Sequence, residues 1–323
     1  MLYPKITQVA HVLPTKVVSN SDLEAILDTS DEWIYSRTGI KERRVAIDES
    51  TSSLATEVGK ILLQKANTKD VDFIIVATMT SDEATPSTAC LVQDGLGLTQ
   101  AFCFDINAAC SGFIYALSVA EKFLLSQKYQ KGMVIGVDVM SNLIDYSDRG
   151  TAVLFGDGAA GVLVENISST PNFISELIQS DGNRYEALHG LSSNRSNPFK
   201  IVHNQSPYLL MNGKQIFDFV LRDVSKNMLQ ALKESGLEHE DIDFVLAHQA
   251  NQRLLNALAK KINMPKEKFL SNVAYYGNTS SASVPLLLSE SVDKKELVLG
   301  RNQKILFTGY GAGLTWGSLL INI

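Results

Sequence analysis

One cysteine, Cys110, stands between two segments whose patterns predict a strand and a helix. The strand is predicted over Phe102–Ile106, and a largely buried helix from Ser111 onward. A side chain at this junction projects beside the first free N–H groups of the helix. Those groups and the helix dipole favour the thiolate, so we expect a lowered pKa for Cys110. A thiolate is the nucleophile that thioester exchange requires, but a cysteine at this position fits a buried, inert role equally well, so the interpretation depends on its partners.

Two polar residues in the second half of the chain are candidate partners. His248 follows a predicted strand over 242–247, and Asn278 lies in a loop of small polar residues. Each alone also fits a structural role, as a buried histidine or as a turn or cap residue. Together with Cys110 they place an imidazole and an amide where both can donate to one carbonyl oxygen. Such a pair stabilises a forming enolate, whereas a hydrolase would use its histidine mainly as a base.

A repeated pattern predicts how these residues are positioned. Asp72 and Asp243 start similar apolar strands after similar helices, at an offset of 171 residues (243 − 72). The same offset carries Val134–Gly136 onto Ile305–Phe307, and each half ends in a glycine-rich turn and an apolar strand. Matches in the same order predict two related α/β halves, 1–170 with the cysteine and 171–323 with the histidine and asparagine. A seam between two halves is a common place for a ligand.

Composition limits the other function classes. The chain has 323 residues, 45 % of them hydrophobic, and a net charge of −6, which argues against general nucleic-acid or anionic-membrane binding. The longest apolar candidate, Phe73–Met79, is too short to cross a bilayer, and no signal-peptide pattern is present. Three cysteines without a Cys-x-x-Cys motif fit neither a disulfide framework nor a zinc site. We therefore expect a cytoplasmic, metal-free protein in which Cys90 and Cys103 are inert.

The turn Gly156–Gly161 matches the dinucleotide-binding motif G-x-G-x-x-G literally. That site requires a helix after the turn, whereas Val162–Glu165 continues as an apolar stretch that predicts a strand. We therefore interpret the motif as a turn between strands. A second irregular segment, Asp181–Tyr208, is polar and predicts a long surface excursion.

At this point the chain resembles the β-ketoacyl-acyl-carrier-protein synthase III family. The resemblance covers essentially the whole chain, with six strings in the family's order and similar spacing. The strings are Asp31-Glu-Trp-Ile-Tyr-Ser-Arg-Thr-Gly-Ile, Asp105-Ile-Asn-Ala-Ala-Cys-Ser-Gly-Phe, Asp148-Arg-Gly-Thr, His248-Gln-Ala-Asn, Gly277-Asn-Thr-Ser-Ser-Ala-Ser and Gly311-Ala-Gly-Leu-Thr-Trp-Gly. The resemblance implies the thiolase fold, a five-layered αβαβα arrangement of two pseudo-symmetric halves, and a homodimer.

The resemblance also implies a ping-pong reaction that initiates fatty acid synthesis. Cys110 would take an acyl group from acyl-CoA, and the main-chain N–H groups of Cys110 and Ala312 would hold the tetrahedral oxyanion. His248 and Asn278 would then stabilise the enolate formed when malonyl-acyl carrier protein loses carbon dioxide. That carbanion would attack the acyl thioester, with no metal or redox cofactor.

Further residues match substrate-contacting positions of the family. Trp33, Arg37 and Arg149 match positions that contact CoA, where Trp33 and Arg149 would flank the adenine. An indole and a guanidinium both stack well on a flat base, which favours the CoA role over the alternative of a partly buried tryptophan beside two surface arginines.

The helix predicted after His248 carries a basic edge of Arg253, Lys260 and Lys261 on an otherwise acidic protein. Because carrier proteins are acidic, we expect this edge to steer them, although lysines also complement a helix C-terminus. Lys214 replaces an asparagine of the well-known bacterial enzyme near the pantetheine tunnel. Thr85 replaces an aromatic residue that restricts the acyl pocket of the neighbouring subunit, so we expect donors larger than acetyl.

Two other functions remain open from the sequence. One is a related acyltransferase or condensing enzyme of a specialised, secondary-metabolite pathway. The other is a non-catalytic subunit that binds a carrier protein. Retention of Cys110, His248 and Asn278 disfavours the silent subunit, because such subunits lack the nucleophile.

Overall fold

The computed structural model describes residues 1–190, 198–199 and 206–323. This part of the chain contains thirteen strands and eleven α-helices. The strands are β1 (Tyr3–Val12), β2 (Lys16–Ser19), β3 (Glu42–Val45), β4 (Phe73–Ala77), β5 (Phe102–Ile106), β6 (Lys131–Asp138), β7 (Gly158–Ser168), β8 (Phe173–Ser180), β9 (Leu188–Gly190), β10 (Leu209–Met211), β11 (Phe244–Ala247), β12 (Lys304–Gly311) and β13 (Thr315–Asn322). The helices are α1 (Asn20–Glu24), α2 (Asp31–Thr38), α3 (Thr51–Ala66), α4 (Thr88–Leu96), α5 (Gly112–Leu125), α6 (Arg149–Ala152), α7 (Gly213–Phe219), α8 (Ser225–Ser235), α9 (Gln252–Lys261), α10 (Val273–Tyr276) and α11 (Ser283–Asp293).

Two mixed sheets have matching strand orders. The first runs β1-β7-β6-β4-β5, and the second runs β8-β13-β12-β11. In the first sheet β4 is parallel to β5 and β6, and β7 is antiparallel to β1 and β6. In the second, β11 is parallel to β12, and β13 is antiparallel to β12 and β8. A single parallel bridge between Val245 and Phe269 occupies the place of a fifth strand.

The strand ladders refine the repeat seen in the sequence. Phe73 of β4 pairs with Gly132 of β6, and Phe244 of β11 pairs with Ile305 of β12. The predicted offset of 171 therefore holds for the first strand of each pair, whereas the second strand is displaced by 173 residues (305 − 132). The chain leaves the first sheet at Ser168 and enters the second at Phe173.

Helices fill the space between the sheets and cover their outer faces. The central layer consists of α5 and α11, which contact strands of both sheets. The first sheet is covered outside by α3 and α4, and the second by α8 and α9. Because the first sheet is buried on both faces, its central strands β4 and β6 are continuous apolar runs between their ends rather than alternating.

The irregular segments agree in part with expectation. A strand, β7, follows the glycine-rich turn, as the sequence predicts. The helical segment that precedes β11 contains a π-helical turn at Val220–Val224, which separates α7 from α8. The ends of the polar excursion form a 3-10 turn at Gly182–Ala187 and the paired strands β9 and β10. Its residues 191–197 and 200–205 lie outside the described residues. In the described ranges, every helix is too short or too polar to span a bilayer.

Candidate active site

The nucleophile candidate lies in a tight turn between β5 and α5. Ala109–Ser111 form a 3-10 turn directly before α5, and Ala109 has a left-handed φ of 46°. The carboxyl end of β12 packs against this turn. A Cβ added at Gly311 would lie 2.8 Å from the backbone nitrogen of Cys110 and 3.1 Å from its Cβ. Glycine at 311 therefore allows β12 to approach the amide of Cys110.

The expected lowering of the Cys110 pKa is wrong. Cys110 is only 6 % exposed, and burial raises the pKa of its thiol to about 12. The Ser280 hydroxyl, whose Oγ lies 3.5 Å from Sγ, opposes this effect, and the nearby carboxyl of Asp138 raises the pKa further by a smaller amount. The position of a residue along the sequence does not reveal this burial, and desolvation disfavours the charged thiolate. Cys110 therefore rests as a thiol.

His248 directly follows β11, and both its backbone and its ring make defined contacts. Its backbone N–H donates to the carbonyl of Thr308 at 2.8 Å, and the Tyr310 hydroxyl donates to its carbonyl at 3.0 Å. The ring of Tyr310 meets the imidazole edge to face at 5.0 Å. Nδ1 of the imidazole lies 2.7 Å from Oγ of Ser283. Burial lowers the pKa of His248 to about 3, so the imidazole is neutral.

Asn278 presents its amide through the loop between α10 and α11. The backbone bridges to the segment around Phe155, donating to Leu154 at 2.8 Å and accepting from Gly156 at 3.0 Å. Its side-chain oxygen accepts the N–H of Ser280 at 2.9 Å. With that oxygen engaged, the NH2 group is the part of the amide left to bind a ligand.

One cavity of about 770 Å³, its mouth included, brings the three candidates together. Cys110, His248, Asn278 and Ala312 all line it. The remaining lining is mainly apolar: Met79, Ala109, Met140, Leu154, Phe155, Leu188, Leu209, Met211, Gly213, Ile216, Phe217, Phe219, Ala250, Asn251, Leu254, Tyr310 and Gly311. An apolar passage that ends at a thiol and two hydrogen-bond donors suits an acyl thioester.

Sequence reasoning missed a buried carboxylate beneath this site. Asp138, at the end of β6, accepts five hydrogen bonds: from the Thr78 hydroxyl, the Met79 N–H, the Thr80 hydroxyl, and the Ser281 N–H and hydroxyl, at 2.7–3.1 Å. Burial raises its pKa, and these donors oppose that effect. Asp138 thereby ties the first sheet to the loop that carries Asn278. Its signal in the sequence is an acidic residue that ends an otherwise apolar strand.

The predicted CoA contacts form one cluster at the surface. The guanidinium carbons of Arg37 and Arg149 lie 4.8 and 4.9 Å from the centre of the Trp33 ring. Arg149 also donates to the carbonyl of Asp28 at 2.9 Å. A base inserted between Trp33 and Arg149 needs roughly 7 Å, two contact distances of about 3.5 Å. Arg149 must therefore move outward to admit adenine at the predicted position.

The predicted carrier-protein contacts lie at the surface near the cavity. Lys214 is exposed in the first turn of α7, and Arg253, Lys260 and Lys261 are exposed along α9. Arg253 lies 6.0 Å from the ring of Phe217, which lines the cavity. The basic edge therefore begins at the cavity and extends away from it along the helix.

Thr85 does not reach the cavity of its own chain. It is exposed in the loop between β4 and α4 and is absent from the residues that line the cavity. The N–H groups of Thr88 and Ala89 donate to the Asp105 carboxylate at 2.7 Å each, which fixes this loop near the edge strand β5. Within one chain, the structure therefore does not bring Thr85 together with Cys110.

The other two cysteines also lie outside the cavity. Cys90 and Cys103 are free and partly buried, with their sulfur atoms 3.5 Å apart. Burial raises the pKa of Cys103 to about 12. No cluster of three or more potential metal ligands occurs among the residues that the structure describes.

Comparison with known proteins places this geometry in a family. A family model described as 3-oxoacyl-[acyl-carrier-protein] synthase III matches residues 104–182, and the model of its C-terminal part matches 232–323. The chain is 52 % identical to a β-ketoacyl-[acyl-carrier-protein] synthase III from Streptococcus uberis, over the full length of both.

Solved structures show the same fold. A 3-oxoacyl-[acyl-carrier-protein] synthase III from Aquifex aeolicus aligns with a TM-score of 0.92 at 41 % identity, covering 99 % of this chain and all of the other. A priming β-ketosynthase of the R1128 polyketide pathway also aligns with a TM-score of 0.92, at 31 % identity, covering 99 % and 96 %. The five layers are thus those of the thiolase fold.

Proposed function

The chain belongs to the 3-oxoacyl-[acyl-carrier-protein] synthase III family, the condensing acyltransferases that initiate fatty acid synthesis, and on this premise we propose how its residues carry out the reaction. Cys110 takes the acyl group of an acyl-CoA, and the acyl enzyme then condenses with malonyl-acyl carrier protein. The observation that carries this proposal is the apolar cavity on which Cys110, His248 and Asn278 converge.

In the first half-reaction, the sulfur of Cys110 attacks the thioester carbonyl of acyl-CoA. Because burial keeps Cys110 a thiol, its proton leaves as the carbon–sulfur bond forms, and CoA departs as its thiol. The N–H groups of Cys110 and Ala312 stabilise the oxyanion. In support, Ala312 lines the cavity, and the neighbouring Gly311 packs directly against the amide of Cys110.

In the second half-reaction, the malonyl thioester loses carbon dioxide. His248 and Asn278 donate hydrogen bonds to the thioester oxygen, where negative charge develops as the enolate forms. A neutral imidazole suits this role, since its N–H donates without giving up its proton. The enolate carbon then attacks the acyl group on Cys110, which forms the β-ketoacyl-carrier protein and expels Cys110 as a thiolate that takes up a proton from solvent. These steps need no metal or redox cofactor.

The two substrates approach from the surface around the cavity mouth. We place the adenine of CoA at Trp33, Arg37 and Arg149, whose stacked side chains form a cationic, flat-walled cluster. We place the acidic carrier protein on Lys214 and the α9 edge formed by Arg253, Lys260 and Lys261. The protein as a whole has a net charge of −6, so this local basic surface complements an acidic carrier protein better than the rest of the protein surface does.

The acyl end of the cavity is completed, in this proposal, by a second subunit of a cytoplasmic homodimer. Thr85 stands in the loop beside β5, the edge strand of the first sheet, and so is placed to reach a neighbour. Because threonine is smaller than an aromatic residue, the pocket accepts donors longer or more branched than acetyl.

A second candidate is a condensing enzyme of a specialised pathway. It is favoured by the alignment with the priming β-ketosynthase, at the same TM-score as the Aquifex structure. Both candidates share the acyl-Cys110 intermediate and differ in their preferred donor and acceptor.

Intact-protein mass spectrometry after incubation with acyl-CoAs tests the proposal. We expect wild-type protein to gain the mass of one acyl group, from a panel that runs from acetyl to octanoyl and includes branched donors. Cys110→Ala should gain nothing, whereas Cys90→Ser should behave like wild type. Addition of malonyl-carrier protein should then discharge the acyl group with release of carbon dioxide.

Two results would contradict the proposal. Persistent acylation of Cys110→Ala would move the nucleophile elsewhere. A folded wild-type protein that accepts no donor would favour the non-catalytic subunit, whereas discharge only with another acceptor would favour the specialised enzyme.

A further inference from the structure

Ser283 is the polar partner of the His248 ring. It is the first residue of α11, is 1 % exposed, and places Oγ 2.7 Å from Nδ1 of His248. Sequence reasoning gave this serine no role, because it lies among several serines in the loop after Asn278.

The contacts of the Ser283 hydroxyl decide which atom donates. The backbone N–H of Gln249 points at Oγ in a long contact of 3.5 Å, and an N–H group can only donate. Among the described residues, the hydroxyl hydrogen has one acceptor within hydrogen-bond distance, which is Nδ1 of His248. The serine therefore accepts from Gln249 and donates to the imidazole.

The opposite arrangement would leave a buried donor without an acceptor. If Nδ1 carried the ring proton, it would donate to Oγ, and the hydroxyl hydrogen would be enclosed with nothing to bind. Buried donors in folded proteins are nearly always paired, because an unpaired one loses its hydrogen bond to water. The single proton of the neutral ring therefore resides on Nε2.

We propose that Ser283 is a positioning residue that fixes the Nε2–H tautomer of His248, so that the imidazole donates to the malonyl thioester oxygen and is no base at Nε2. This inference rests on the proposed function for the identity of the substrate. The proton stays on Nε2 throughout, since the electron pair of the enolate forms the new carbon–carbon bond and the negative charge passes to the acyl oxygen and then to the sulfur of Cys110. The ring plane has separate support from Tyr310, so Ser283 acts on the tautomer rather than on ring placement.

The test compares two serines on the same helix. Ser289, six residues further along α11, is also fully buried and lies 2.9 Å from Nδ1 of His11. Ser283→Ala and Ser289→Ala thus remove the same kind of serine–imidazole contact, one in the site and one outside it. Ser283→Thr keeps the hydroxyl and serves as the conservative variant.

Two readouts separate positioning from a structural effect. In ¹⁵N NMR of histidine-labelled protein, assigned with His248→Gln, wild type should show protonated Nε2 and unprotonated Nδ1 for His248. Ser283→Ala should show a mixture of tautomers. Its condensation rate should fall about tenfold, less than the 10²–10³ lost when an oxyanion donor is removed outright. Acylation of Cys110 by acyl-CoA should be unchanged, and Ser283→Thr should restore condensation.

Several outcomes would overturn the inference. A wild-type His248 protonated at Nδ1 would refute the tautomer assignment directly, without reference to activity. Equal condensation rates of Ser283→Ala and Ser289→Ala would refute the positioning role. Failure of the proposed function looks different, because wild type itself would then not condense while its tautomer remained measurable.

Discussion

At the scale of single residues, type and position along the chain predicted Cys110, His248 and Asn278, and the structure places all three on one cavity. Their chemical roles stay predictions. The ionisation of Cys110 could not be inferred, because it depends on burial by β12 and the loop after Asn278. The contacts of Asp138 and Ser283 could not be predicted for the same reason. Only tertiary packing places an ordinary aspartate or serine beside residues of the candidate site.

The burial of His248 predicts a pH-dependent contribution to stability. Its pKa is about 3 in the folded protein and about 6.5 in an unfolded chain, so between these values the unfolded state binds more protons. Stability must therefore fall as the pH falls through this window. From pH 7 to pH 5, we expect His248 alone to lower the free energy of unfolding by about 2 kcal/mol.

Urea denaturation of wild type and His248→Gln at both pH values measures this effect. Other titrating groups, including His11, are common to both proteins and cancel in the comparison. Wild type should lose about 2 kcal/mol more than the variant between pH 7 and pH 5. Equal losses would mean that His248 is accessible to protons in the native state.

At the scale of elements, local sequence signals predicted the strands and helices that flank the site, β4, β5, α5, β11 and α9, because apolar periodicity is local. Ser50 caps α3 and Asn251 caps α9 through side-chain bonds to backbone N–H groups. The π-helical turn between α7 and α8 had no such signal, since it inserts within a continuous helical pattern. The approach of β12 to the nucleophile turn was equally hidden, because it joins segments about 200 residues apart.

The close packing of β12 against the turn at Cys110 predicts the effect of adding one methyl group at Gly311. In Gly311→Ala, the new Cβ would lie 2.8 Å from the nitrogen of Cys110, well inside ordinary contact distance, so the turn or β12 must shift. The shift displaces both the nucleophile and the proposed oxyanion donors. We expect acylation by acyl-CoA to slow about tenfold or more, because sub-ångström misplacement of reacting groups is costly.

Quenched-flow acylation, with intact-protein mass spectrometry as the readout, measures this rate. Gly182→Ala is the matched control, since a Cβ there meets nothing within 4 Å and the residue lies outside the cavity lining. It should acylate at the wild-type rate. Normal acylation of Gly311→Ala would show that the turn tolerates movement of β12.

At the scale of the whole molecule, the repeat in the sequence predicted two related α/β halves, and the structure has two sheets with matching strand orders. The repeat did not predict how the two sheets differ: the second sheet has only a single bridge at the place where the first has the strand β5. In the described part of the chain, β5 is an edge strand with the half-buried side chains Phe102, Phe104 and Ile106. An apolar edge of this kind is a liability unless it is covered, which supports the proposed homodimer.

The proposed homodimer predicts that Thr85 controls donor size in the neighbouring subunit. Thr85→Phe should leave folding intact, because the side chain is exposed in a single chain. It should shift acylation toward acetyl-CoA and against branched or longer donors, since the ring fills the space that threonine leaves. Competition between donors, read by intact mass, gives the change in preference.

A mixed dimer shows whether the effect crosses the subunit boundary. One chain carries Thr85→Phe and Cys110→Ala together, and its partner chain is wild type, so only the wild-type chain can be acylated. If Thr85 acts across the interface, that acylation shows the acetyl preference although its own Thr85 is intact. If Thr85 acts within its own chain, the mixed dimer keeps the wild-type preference while the Thr85→Phe homodimer does not. A monomer in solution, or unchanged preference in both, would remove the proposed contribution of Thr85 and leave the catalytic assignment of Cys110 standing.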